Sequence, residues 1–173
     1  MANLAEDTIR SFLVELGRRH RQPADLLLLG GSALCLLGSP RPTVDIDYVG
    51  DDLSKNALQQ QIDQVANEMG IEVEAVPIYG FIPLPEGTNE RNLLIGQFDA
   101  VRVFVLDPYT IALSKIDRGF DTDIEDIVFL VHLGLVEMSR LEVIVGDANK
   151  RANEFGLNPR EIRHHLEALR ERL

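Results

Sequence analysis

Residues 26–50 read LLLLGGSALCLLGSPRPTVDIDYVG, and the order of events within them decides the fold. Residues 26–29 are apolar without interruption, the pattern of a strand covered on both faces as in an α/β layer. Gly30-Gly31 breaks that run, Ser32 opens a short helix to about Leu37, and Gly38 ends it. A loop over residues 39–42, with two prolines, leads into a strand over residues 43–49. There Val44, Ile46 and Tyr48 alternate with Thr43, Asp45 and Asp47.

Asp45 and Asp47 stand one residue apart on one strand face, about 6.6 Å along the strand. With carboxylates roughly 5 Å apart and an effective dielectric near 20, their repulsion is about 3 kcal/mol. A divalent cation removes that cost, and carboxylate oxygens suit Mg²⁺ or Mn²⁺. A strand–Gly-Gly–helix junction brings backbone N–H groups close to an anion, and Ser32 can add a hydroxyl donor. Alone, the carboxylates could be two solvated acids and the glycines a tight turn. Their succession along the chain joins them: phosphate cradle and metal carboxylates fall on adjacent strands.

Outward from this stretch, residues 3–20 carry an amphipathic helix with Leu4, Ile9, Phe12, Leu13 and Leu16 on one stripe and Asn3 with Glu6 as a cap pair. Residues 51–69 read as a second helix, with Leu53 on its apolar face, Gln59-Gln60-Gln61 solvated, and Gly70 as its end. Residues 71–76 alternate as a strand on which Glu72 and Glu74 share a face. Residues 77–96 are the least regular part, suited to a hairpin or an active-site loop. Residues 99–106 form a further strand.

Asp107 then caps a helix with Pro108 at its first position, running to about Arg118. A second helix starts at Thr122 or Asp123, a third at Ser139 towards Phe155, and Asn158-Pro159 opens a fourth. The expected class is α/β (α+β), with a core over residues 1–106 and a helical region over 107–173.

Net charge is −11, and residues 23–139 hold nineteen acidic against six basic side chains. Such a middle repels a phosphate backbone, so sequence-independent and sequence-specific DNA binding are both unexpected. No apolar run reaches the roughly 18–20 residues that span a bilayer, and the N-terminal stretch MANLAEDTIR lacks a signal-peptide pattern. The single cysteine, Cys35, lies in the apolar run ALCLL and reads as a buried small hydrophobe. A cytoplasmic protein is expected. The four histidines have no zinc-ligand spacing.

The strand, Gly-Gly-Ser, helix and Asp-x-Asp strand together resemble the nucleotidyltransferase superfamily that includes polymerase beta. The segment GGSALCLLGSPRPTVDIDY is similar to AbiEii-type toxin nucleotidyltransferases and a related bacterial family, which carry an Arg and a Thr ahead of Asp-x-Asp, as Arg41 and Thr43 stand here. The later block KIDRGFDTDIEDI would supply that group's Lys, Arg and paired aspartates as Lys115, Arg118, Asp123 and Asp126.

The resemblance implies a mixed β-sheet flanked by helices, followed by a C-terminal helical bundle. It also implies transfer of an NMP from an NTP to an acceptor hydroxyl, on tRNA or protein, with Mg²⁺ or Mn²⁺. Asp45 and Asp47 would hold metal, Gly30, Gly31, Ser32, Arg41 and Thr43 would meet the nucleotide, and Lys115 would face the phosphates. Asp123 and Asp126 suit structural roles, one capping a helix and one pairing with Lys115 or Arg118. A third carboxylate is implied, with Glu72, Glu74 and Asp99 as candidates; Glu74 is favoured by its alternating apolar frame after the helix that follows Asp-x-Asp. A toxin role would bring an antitoxin partner. The alternative is a catalytically weak or inactive nucleotide- or partner-binding module on the same fold.

Overall fold

A computed structural model describes residues 2–173. The chain forms two compact units, one from the segment up to Pro77 with Asn92–Leu106, the other from Ile78–Arg91 with Asp107–Leu173.

In the first unit, helix α1 (Glu6–Arg19) buries Ile9, Phe12, Leu13 and Leu16. The cap pair expected from Asn3 and Glu6 does not form; Ala5 is the cap residue and has no side-chain cap bond. The backbone just before the helix is engaged elsewhere, since the Leu4 N–H donates to the Thr43 carbonyl at 2.7 Å. Strand β1 (Ala24–Leu29) follows, then α2 (Gly30–Leu36), so both glycines belong to the helix's first turn rather than preceding it. Strand β2 (Asp45–Val49) starts two residues later than expected because Thr43 makes an isolated bridge to Leu4.

Helix α3 (Ala57–Met69) also starts late. Asn56 and Gln59 form a reciprocal capping box, and the Gln59 amide donates to the Asp51 carbonyl at 3.1 Å. Gln59 is therefore buried, not solvated, while Leu53 precedes the helix and is 96% exposed. Gly70 ends α3 with φ +67°. Strand β3 (Glu72–Val76) completes a crossover parallel to β2. Strands β4 (Leu93–Phe98) and β5 (Val101–Val105) make an antiparallel hairpin. Asp99 lies in its turn with φ +53°, not in a strand as expected. Aspartate tolerates that backbone better than most residues.

The sheet order is β3-β2-β1-β5-β4, with β1 antiparallel to β2 and parallel to β5. The central position of β1 explains its apolar sequence: Leu26 and Leu28 are at most 2% exposed. Five mixed strands flanked by helices give the nucleotidyltransferase-like α/β fold expected.

The second unit is helical: α4 (Pro108–Arg118), α5 (Asp121–His132), α6 (Met138–Lys150), α7 (Ala152–Phe155) and α8 (Pro159–Arg172). The single helix expected towards Phe155 is interrupted at Arg151, where φ is −110° and ψ 17°. Asp107 is fully buried and accepts from the N–H groups of Tyr109 and Thr110, capping α4. The same carboxylate takes a two-pronged ion pair from Arg91, at 2.9 and 2.8 Å. Arg91 Nη1 also donates to the Glu86 carbonyl, so Asp107 ties residues 86–91 to the helical unit. No described helix is long and apolar enough to cross a membrane.

Candidate active site

Parallel pairing of β2 with β3 sets Asp45 opposite Glu72 and Asp47 opposite Glu74. Side chains alternate along each strand. Ile46 and Tyr48 are at most 2% exposed, so the carboxylates occupy the opposite face from this apolar pair. One oxygen from each of Asp45, Asp47 and Glu74 lies within 4.8 Å of the others. Of the three candidates for a third carboxylate, Glu74 is the one grouped with the Asp-x-Asp pair. Glu72 stands one register step away, beside Asp45. Asp99 adjoins the far end of β1, because Val101 pairs with Ala24 while Leu29 pairs with Asp47.

The glycine turn is fitted to this cluster. A Cβ built on Gly30 would overlap Oδ2 of Asp47. One on Gly31 would lie 2.8 Å from Thr43 Oγ1 and 3.9 Å from Arg41 Nη2. The first-turn backbone thus lies open towards Asp47, Thr43 and Arg41. The Thr43 hydroxyl donates to the Asp45 carbonyl at 3.2 Å, linking the loop to the first metal-type carboxylate. Ser32 is fully buried, and its hydroxyl donates to the Leu29 carbonyl at 3.4 Å, tying the helix start to the end of β1.

Lys115 belongs to the second unit. It is buried, with Nζ 2.8 Å from Asp126 and 3.4 Å from Asp123. Asp123 also pairs with Arg118 and accepts the Phe120 N–H, capping the start of α5. Cys35 is partly exposed rather than buried, and desolvation pushes its thiol pKa up, away from thiolate chemistry.

Three carboxylates supply hard, anionic oxygens, the donor set that Mg²⁺ and Mn²⁺ take. The absent Cβ at Gly30 leaves space for Asp47 in that set. The residues present fit such an ion.

A mixed five-stranded sheet with a glycine turn beside paired strand carboxylates defines the class: a nucleotidyltransferase fold with an acidic, metal-type centre. The chain belongs to the family described as "Nucleotidyltransferase of unknown function (DUF6036)", whose model matches residues 8–167. No curated protein and no solved structure gives a match. The family description carries no toxin designation, and it names neither an acceptor nor a partner.

Glu72, Glu74 and Asp99 are all candidates for the third carboxylate in sequence, with Glu74 favoured by its alternating frame. The signal that selects Glu74 is the aligned pair of acidic alternations, Asp-x-Asp on β2 and Glu-x-Glu on β3, once the strands are known to be parallel neighbours.

Proposed function

We propose that this protein moves a nucleoside monophosphate from an NTP to an acceptor hydroxyl in a metal-dependent reaction. The grouping of Asp45, Asp47 and Glu74 against the Gly30-Gly31 turn, in a chain of this family, carries the proposal. These carboxylates would hold Mg²⁺ or Mn²⁺, which when bound neutralises phosphate charge and lowers the pKa of an acceptor hydroxyl.

Each residue has a distinct task. Backbone N–H groups of Gly30 and Gly31 receive the triphosphate, whose close approach the missing side chains permit. The Arg41 guanidinium, with its planar fork of donors, binds phosphate oxygens. Thr43 steadies the Asp45 backbone, and Ser32 steadies the turn through Leu29. The acceptor oxygen forms a bond to the α-phosphorus as the bond from that phosphorus to the pyrophosphate oxygen breaks. The hydroxyl proton passes to Glu74, the exposed member of the three.

The acceptor is a macromolecular hydroxyl, on tRNA or on a protein. Resemblance to AbiEii-type proteins supports a toxin role held in check by an antitoxin. Incubation of the protein with Mg²⁺, each α-labelled NTP and separated RNA and protein fractions tests this. Label should enter one fraction and disappear with Asp45→Ala. Induced expression should slow growth with the wild type and not with that variant. Nucleotide binding without labelling of either fraction would instead make the protein a binding module.

A further inference from the structure

We infer that the acceptor is a protein, and that apolar side chains beside its reactive hydroxyl dock on an uncovered band of the sheet. The inference rests on the transfer reaction proposed above and names its acceptor class. Two residues along from Asp47 and Glu74, on the same face, Val49 and Val76 stand level on β2 and β3. Continuing the antiparallel register of β1 with β2 sets Leu27 beside Val49. Leu27 in turn pairs with Phe104, and Phe104 with Leu94. Every strand therefore gives one apolar side chain to a single row. At strand spacing that row is roughly 19 Å long, and it lies about 6.6 Å from the acids.

None of the five is buried, and Leu94 is 61% exposed. Leu28, Tyr48 and Val103, which face the other way, are at most 2% exposed. The flanks of the band decide what covers it. Asp47 and Glu74 line one side. On the other, Arg102 is held by Asp25 in a two-pronged ion pair at 2.8 and 2.7 Å, with its guanidinium 5.4 Å over the Phe104 ring. Among the described residues, the band and these flanks offer a phosphate backbone no cation beyond that paired arginine, and acids along one edge. A protein segment brings no such charge, and its apolar side chains gain by leaving water against Val, Leu and Phe. In an extended segment, residues two apart are also about 6.6 Å apart on one face. A hydroxyl at Glu74 therefore sets the side chain two positions away over Val49 and Val76. Leu27, Phe104 and Leu94 take further apolar surface of the same acceptor.

Incubation of the full chain with Mn²⁺, α-labelled NTPs and separated protein and RNA fractions of cell extract tests this. Label should enter protein. Peptides bearing the adduct, mapped by mass spectrometry, should carry Val, Leu, Ile, Met or Phe two positions from the modified Ser, Thr or Tyr. The double variant Val49→Thr, Val76→Thr keeps the branched shape and removes apolar surface. It should raise the protein concentration that gives half-maximal labelling by about tenfold, with no change in KM for the NTP or in Mn²⁺ affinity. Leu94→Lys, at the exposed end of the band, should also weaken protein labelling and keeps the test open should the double variant not fold. An RNA acceptor would instead gain from that added charge. Label in RNA overturns the inference and leaves the transfer reaction standing. Protein labelling that neither variant weakens does the same. A double variant that loses NTP and acceptor affinity alike assigns the band to the nucleotide and also overturns it. Absence of label from both fractions removes the transfer reaction itself, and the inference with it.

Discussion

Oδ2 of Asp47 occupies the space that a Cβ on Gly30 would need. Gly30 opens α2 directly after β1, and Asp47 sits on β2 opposite Leu29, so the glycine turn and the carboxylate strand meet at one point. Gly30 also has φ +70°, in the left-handed region. The residue is therefore fixed twice, once by its backbone and once by its neighbour.

Gly30→Ala should destabilise the protein by about 1–2 kcal/mol from the backbone conformation alone. It should also displace Asp47 and weaken Mn²⁺ binding. Urea unfolding and a Mn²⁺ titration measure the two effects separately. Wild-type behaviour in both would refute the mutual fit.

Lys115 offers a test of structural against chemical roles. Its ammonium faces Asp126 and Asp123, with both carboxylates about 3% exposed. Lys115→Met strands that buried charge and should cost about 3–5 kcal/mol. Adding Asp126→Asn should recover part of the loss, because the two sites are in contact and their effects do not add. If Lys115→Met unfolds like the wild type but labels no acceptor, its role is in the chemistry.

Much of this was legible in the chain because it depends on local order. The apolar run, the two glycines and the Asp-x-Asp strand each leave a local periodic or steric mark, and Asp107-Pro108 and Asn158-Pro159 announce helix starts through cap chemistry. Features that failed to show depend on specific hydrogen bonds, turns or strand pairings that hydrophobic periodicity does not mark. Gln59 looks solvated until Asn56 and the Asp51 carbonyl bury it. Asp99 looks like strand until the hairpin turn claims it. The alternating frame of residues 71–76 already favours Glu74, but its grouping with Asp45 and Asp47 depends on the register of two strands separated by α3, which no local pattern encodes.

Asp107 should be the costliest single polar loss in the helical unit. It caps α4, accepts the Thr110 hydroxyl at 2.8 Å and pairs with Arg91. Asp107→Ala removes every one of these bonds and should cost about 3–5 kcal/mol. Asp107→Asn keeps one acceptor oxygen for the cap and should cost less. Equal urea midpoints for the two variants would contradict the division into cap and ion pair.

Asp117 should make stability depend on pH in the sense opposite to a salt-bridged acid. Desolvation raises its pKa above the ordinary 3.8, Glu161 adds to the rise, and His165 and Arg118 oppose it. A folded-state pKa above the unfolded one means the native state holds the proton more tightly. Its stabilising share is present below the unfolded pKa and is lost as pH rises through the folded one. Asp117→Asn should therefore unfold at a higher denaturant concentration than wild type at pH 7, with the gap closing below about pH 4. A constant gap across that range would show that charge is not its cause.

Asp45 should display a conflict between stability and chemistry. Its carboxylate lies within 4.8 Å of oxygens from Asp47 and Glu74, and repulsion among them weakens the metal-free fold. Asp45→Asn relieves part of that repulsion at nearly constant shape, so the metal-free variant should be more stable by about 0.5–2 kcal/mol. Adding Mn²⁺ reverses the order. At a hundredfold excess over its dissociation constant, a ligand specific to the native state stabilises it by about 2.7 kcal/mol. The wild type should gain that increment and overtake the variant, whose own gain should be much smaller. Thermal unfolding with EDTA and then with Mn²⁺ reads both halves. A variant more stable under both conditions would mean that Asp45 does not bind the ion, and a wild type more stable under both would mean that Asp45 does not strain the fold.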